Sequence, residues 1–254
     1  MLNLKPPAAE APCKICGGPA PLYGAVDFNR CCEIPGFVRL PPTNVAVHYR
    51  CCVACGFLFT DSFDDWSDAE FKTHIYNDGY LAVDPDYVEI RPRGNAGLVQ
   101  QMFGAHRMEI RVLDYGGGND VLCSTLRAAG FPAAVTFDPF VPEYSRAPEE
   151  KFNLVTCFET LEHMPDPLAG IGAIVANLAE PGLVLFSTLL QPTDIDKLRL
   201  DWWYVGPRNG HISLFSRDAL VKAWQRYGCQ FASNGANLHI AFRTLPDFAK
   251  HLHN

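Results

Sequence analysis

Four thiols stand in two C-x-x-C-G segments: Cys13 and Cys16 followed by Gly17, and Cys52 and Cys55 followed by Gly56. Cysteines at that spacing aim both sulfurs of one tight turn at a single ion, and the glycine takes the backbone conformation that the turn demands. Four sulfurs close a tetrahedral shell, so the implied metal is structural and offers no open position for chemistry. Zinc is the expected ion, and iron is served by the same donors. With 35 residues between Cys16 and Cys52, the metal would order a segment too small to build its own core. Cys31, Cys32 and Cys51 lie close by in the chain; they read as buried or idle thiols, with a substitute ligand as the alternative.

A second group of chemistry-bearing residues begins at Asp114. Ile110–Asp114 reads as a short buried strand, Tyr115-Gly116-Gly117-Gly118-Asn119-Asp120 as a glycine turn, and Val121–Ala129 as a helix. A turn of this kind brings backbone N–H groups close to a ligand at the carboxyl end of a parallel strand. A dinucleotide fingerprint would need Gly or Ala where Val121 stands. Twenty-four residues after Asp114, the strand candidate Ala134–Asp138 ends in another carboxylate, placed to accept hydrogen bonds from both hydroxyls of a ribose. Asp114, two residues before the first glycine, resembles the acidic residue of the D-x-G-x-G motif of class I S-adenosylmethionine (SAM)-dependent methyltransferases, and Phe152–Pro167, with its Leu-Glu-His-x-x-Asp-Pro form, resembles the fourth strand and loop of that family. The resemblance implies SAM as cofactor, lined by Asp114, Tyr115, Gly116, Gly117, Gly118, Asp138, Pro139, Phe158 and Glu159. In the family a carboxylate at the position of Asp114 helps hold the ammonium group of SAM. Asp120 departs from the family pattern of a small residue and is expected to cap the following helix.

The segment Asp201–Ser216 is the most unusual in the chain, setting Trp202, Trp203 and Tyr204 beside Arg208, Asn209 and His211. It reads as an amphipathic recognition surface for a small-molecule acceptor. Together the cysteine knuckles, the glycine turn, Leu-Glu-His-x-x-Asp-Pro and Asn-Gly-His-x-Ser-x-Phe-Ser resemble the sugar C-methyltransferase-like branch of class I methyltransferases, across nearly the whole chain. In that branch a histidine at the position of His211 lies near the transferable methyl group, so the resemblance makes His211 the first choice of general base, with His163 and Glu162 next. A neutral imidazole is available for this task near neutral pH. Tyr76, Tyr80 and Tyr204 are candidates for orienting the acceptor.

The resemblance implies an α/β fold: a Rossmann-like class I methyltransferase sheet with a small N-terminal zinc-ribbon-like module. The expected division is a cysteine module over 1–60, a connector and lid over 61–104, and a SAM-binding domain over 105–254. The short stretch between Pro139 and Phe152 leaves the usual third strand very short or missing, and a sheet of seven strands is expected in outline. The 254 residues, 48% hydrophobic, suffice for such a core. A net charge of -7 argues against a protein that binds by neutralising nucleic-acid phosphates. The first residues do not read as a secretion signal, and the apolar run Gly170–Leu190 is interrupted by Asn177, Glu180, Pro181 and Gly182, as a helix, turn and strand would be. A cytoplasmic, membrane-free protein is expected. Two other classes stay in view, a non-catalytic scaffold on the same fold and an iron-dependent redox protein built on the knuckles.

Overall fold

A computed structural model describes residues 2–32 and 38–252. In chain order the regular elements are β1 (Leu22–Asp27), β2 (Ala46–Cys51), β3 (Leu58–Thr60), α1 (Asp68–His74), α2 (Tyr80–Val83), α3 (Ile90–Phe103), β4 (Arg111–Tyr115), α4 (Val121–Ala128), β5 (Ala133–Phe137) and β6 (Phe152–Phe158). They continue with α5 (Pro167–Asn177), β7 (Leu178–Ser187), α6 (Ile195–Leu198), β8 (Ser213–Leu214), α7 (Arg217–Gln225), β9 (Gln230–Asn234) and β10 (Leu238–Phe242). The chain forms two compact units, each assembled from separate stretches. One comprises Met1–Pro85, Leu161–Gly170 and Leu189–Ala223, the other Asp86–Thr160, Ile171–Thr188 and Trp224–Asn254.

The second unit carries the mixed α/β fold expected from the glycine turn. Its sheet runs β5-β4-β6-β7-β10-β9, parallel from β5 to β7, with β10 antiparallel to both β7 and β9. Val112 and Leu113 of β4, and Leu154 and Val155 of β6, are wholly buried, as strands covered on both faces must be. In α4, Leu122, Cys123 and Leu126 face inward at helical spacing and join Phe103, Ile110 and Phe131 in one core. Among the described residues the sheet has six strands rather than the seven expected. Between β5 and β6 the chain makes only a single 3-10 turn at Pro142–Tyr144. Pro139, Pro142 and Pro148 lack the N–H a ladder needs, and Glu149, Glu150 and Lys151 supply no apolar face, so no strand forms there.

The first unit is built on the antiparallel sheet β1-β2-β3-β8. Phe57 and Phe59 stack at 5.2 Å, Phe215 packs on Phe57 at 5.1 Å, and Tyr49 lies fully buried nearby in β2. Arg50, also fully buried, is held by Asp61, whose Oδ2 accepts its Nε–H at 2.8 Å, and by the Ala20 carbonyl. Asp61, expected at the start of the connector, is therefore the counter-ion of a core arginine. Among the described residues no helix is long and apolar enough to cross a membrane.

Candidate functional site

In the second unit, β4 delivers Asp114 between Thr136 of β5 and Thr156 of β6. The Thr156 hydroxyl donates to Asp114 Oδ1 at 2.7 Å, and the carboxylate is only 3% exposed. Burial pushes its pKa up to about 7; the Thr156 bond opposes this, and the charges of Asp138 and Asp120 add to it. Gly116 and Gly118 take left-handed φ values of 77° and 62°. Gly117 is needed for a different reason, because a Cβ there would stand 2.3 Å from Asp114 Oδ2. A Cβ on Gly118 would meet nothing within 4 Å, so the turn is open on that side.

Asp138, just past the end of β5, braces the turn: its Oδ2 accepts the Gly118 N–H at 3.0 Å and its Oδ1 the Phe140 N–H at 2.8 Å. Tyr115 packs against Phe137 at 5.1 Å, and Pro139 follows Asp138 in the same loop. Phe158 ends β6, and Glu159 follows it with φ 49°. Glu159 Oε1 accepts the Ser187 hydroxyl at 2.7 Å, and Oε2 lies 3.9 Å from Arg91. Three strand ends thus carry three carboxylates around a glycine turn, a setting suited to a ligand with a cationic amine and a diol.

Asp120 stands at the start of α4 but does not cap it. Its backbone is left-handed, with φ 64°, and its side chain makes no cap hydrogen bond. The carboxylate instead pairs with Arg127 at 2.5 Å and accepts the Thr136 hydroxyl at 2.7 Å. An arginine seven residues on competes better for a carboxylate than exposed helix N–H groups do. The charge that set this chain apart from the motif is thereby neutralised within the fold.

The other predicted residues gather in the first unit. Glu162 and His163 lie on a single 3-10 turn, Leu161–His163, and the Ile212 N–H donates to the Glu162 carbonyl at 2.9 Å, drawing residue 211 alongside. The ring centroids of His163 and His211 are 5.1 Å apart, and donor atoms of Glu162, His163 and His211 lie within 4.8 Å of one another. His211 Nδ1 is 2.9 Å from the Tyr204 carbonyl. A carbonyl only accepts, so Nδ1 carries a hydrogen in this contact. Tyr204 also donates its hydroxyl to Glu162 Oε1. Glu162 is wholly buried and His211 is 7% exposed.

Gly210, with φ 85°, makes this approach possible, since a Cβ there would lie 2.7 Å from His163 Nδ1 and 2.8 Å from the Tyr76 hydroxyl. The Asn209 carbonyl accepts the Tyr80 hydroxyl, and Arg208 donates to the Ile75 carbonyl. The Trp pair divides, Trp202 buried and Trp203 41% exposed. Sequence reasoning gave no place here to Cys32, whose Sγ is 3.2 Å from His211 Nδ1, or to Tyr49, whose hydroxyl donates to the His211 carbonyl at 2.7 Å. Neither has a motif, since both reach His211 from more than 160 residues away.

Cys13, Cys16, Cys52 and Cys55 come together as expected, their sulfurs all within 4.8 Å of one another. The two knuckles are built alike. Gly17 N–H donates to the Cys13 carbonyl and Gly56 N–H to the Cys52 carbonyl, both at 2.9 Å, and the two glycines take φ 72° and 69°. Four convergent thiols in this geometry fit a tetrahedral ion of the zinc class. Cys31, Cys32 and Cys51 lie outside this group, and burial pushes the Cys51 thiol up to about 11.

Residues 87–234 match the methyltransferase domain family. The ubiquinone biosynthesis O-methyltransferase of Neisseria meningitidis is 46% identical over 160 residues, covering 52% of this chain and 60% of that protein. The enzyme of the same name from Actinobacillus pleuropneumoniae is 43% identical over 54 residues, 21% of this chain and 23% of that one. The chain thus spans less than two thirds of the length of these curated relatives. Among solved structures, the plantazolicin methyltransferase BpumL, in complex with a monoazolic desmethylPZN analogue and SAH, shares the fold with a TM-score of 0.51 at 8% identity, over 70% of this chain and 95% of that one. With the family match covering more than half of its residues, the chain belongs to the class I SAM-dependent methyltransferases.

Proposed function

We propose that this protein transfers the methyl group of SAM to a small-molecule acceptor, a nucleotide-linked sugar or a metabolite of similar size. The observation that carries the reading is the turn at Gly116–Gly118 set between the Asp114 and Asp138 carboxylates. In it, Asp114 provides negative charge for the ammonium of SAM, Asp138 accepts hydrogen bonds from the ribose diol, and Tyr115, Pro139, Phe158 and Glu159 line the remainder. The reaction is an in-line displacement at the sulfonium methyl, for which the protein supplies orientation and removal of one proton. His211 is the proton acceptor, its Nε2 lone pair fixed by the Nδ1–H bond to Tyr204. Glu162 and His163 stand beside it as stabilisers of the protonated ring, and Tyr204 orients both Glu162 and His211. The four cysteines hold a structural zinc ion that supplies cross-linking of the two knuckles. The names of the curated relatives support an oxygen acceptor, and the Asn-Gly-His segment supports the sugar C-methyltransferase-like branch. A cytoplasmic location suits four reduced thiols.

The test is calorimetric titration of the zinc-loaded protein with SAH, followed by transfer of labelled methyl from SAM to a panel of acceptors. Asp138→Ala is expected to abolish SAH binding. His211→Gln is expected to leave it intact and to lower kcat by about 100-fold to 10,000-fold, the usual weight of a positioned general base. A folded wild type that binds neither SAM nor SAH would sink the reading in favour of a scaffold.

A further inference from the structure

We propose that Glu162, His163 and His211 form a second metal site, separate from the four cysteines, that takes one divalent ion of the borderline class to which zinc belongs. Two imidazoles and a carboxylate are a donor set that binds zinc and its first-row neighbours, and here their donor atoms already lie within 4.8 Å of one another. Donors bound to one zinc at about 2.0–2.2 Å stand closer together than that, a gap that small side-chain rotations close.

The surroundings are those a metal site requires. A ligating histidine commonly donates its other ring N–H to a carbonyl, which fixes the tautomer and aims the free nitrogen, and a ligating carboxylate is itself hydrogen-bonded. Tyr204 does both: its carbonyl takes the Nδ1–H of His211 and its hydroxyl donates to Glu162. Glu162 is wholly buried, so an ion held there would be shielded from water on that side. Gly210, lacking a Cβ, lets His163 Nδ1 and the Tyr76 hydroxyl both come up against its backbone. Three protein donors leave a coordination position open, unlike the closed cysteine shell.

One consequence rests on the reading of His211 as proton acceptor. Its Nε2 has one lone pair, so ligation and proton acceptance exclude each other, and filling this site lowers methyl transfer. The binding itself does not depend on that reading.

The experiment is equilibrium dialysis of the full chain against cobalt and against zinc, with metal analysis and visible spectroscopy. Wild type is expected to bind about two equivalents; His163→Ala and Glu162→Gln are expected to bind about one. The equivalent they lose should carry ligand-field bands without a thiolate-to-cobalt charge-transfer band. Retention of the thiolate band in the variants shows that the cysteine-bearing unit is folded, and His211→Ala replaces any variant that loses it. A wild type that binds one equivalent, or a second equivalent that survives all three substitutions, overturns the site. Full occupancy with undiminished transfer overturns the competition, whereas failure to bind SAH sinks the methyltransferase reading and leaves the metal count standing.

Discussion

Asp114 is held at a pKa of about 7 in the ligand-free fold, chiefly because it is buried. A ligand ammonium about 5 Å from the ionised carboxylate, in an effective dielectric of about 20, gains about 3 kcal/mol. That gain lowers the carboxyl pKa in the complex by about two, to about 5. SAH affinity should therefore rise roughly tenfold per pH unit from pH 5 to pH 7, roughly 100-fold in all, and level off above, below the ligand amine's own titration. Asp114→Asn should bind about 100-fold more weakly at pH 7.5 and show no such slope. Stability moves the other way. The carboxyl has its ordinary value of 3.8 when unfolded and about 7 when folded, so the neutral form favours the fold at low pH, an advantage lost progressively as pH rises from about 4 to about 7. Above pH 7 the ionised group costs the ligand-free fold up to about 4 kcal/mol, which asparagine avoids. The variant should thus melt higher than wild type at pH 7.5 while binding worse. Calorimetry from pH 5 to 7.5 with parallel thermal melts decides it: a flat wild-type affinity, or equal affinity in the variant, refutes the role given to Asp114.

Gly117→Ala puts a Cβ 2.3 Å from Asp114 Oδ2 and should lower SAH affinity at least tenfold by calorimetry, with the fold's circular dichroism unchanged. Asp61→Ala strands the fully buried Arg50 and should destabilise the protein by about 3–5 kcal/mol in denaturant titration; a loss under 1 kcal/mol would contradict the buried pair. A thiol-modifying mercurial should release zinc from colourless protein, and Cys55→Ser should lose that ion; visible iron absorption would instead favour the redox reading.

What the sequence made legible was local. Strand, glycine turn and helix follow one another within Arg111–Ala128, and each knuckle is a single turn with its own glycine, so residue type and spacing suffice. The missing third strand was legible from the few, proline-rich residues before Phe152. The partner of Asp120 was not, because a carboxylate's choice between helix N–H groups and Arg127 with Thr136 depends on how α4 lies on β5. Ser67-Asp-Ala-Glu70, within the stretch expected as connector and lid, is a capping box that starts α1: Glu70 accepts the Ser67 N–H and the Ser67 hydroxyl faces the Glu70 N–H. The hairpin of β1 and β2 hides its alternation, since only Val47 and Tyr49 give a buried period of two between the knuckles. His163 and His211 are 48 positions apart, and nothing local announces that Gly210 lets them meet.

The pairing of β3 with β8 joins Leu58 to Leu214 and Phe59 to Ser213, so the first unit's sheet is finished by residues made late in synthesis. At about 5–20 residues per second, the roughly 150 residues in between take on the order of 8–30 seconds to emerge. During that interval both cysteine knuckles are already outside the ribosome and able to close on their ion, while the free edge of β3 and the apolar Phe57–Phe59 stretch have no cover. Nascent chains arrested before residue 213 should accordingly be cut by protease near β3, and complete ones spared. Should the knuckles bind an ion, capture would precede sheet closure, and the species that chaperones meet would be a half-finished sheet already cross-linked at its knuckles.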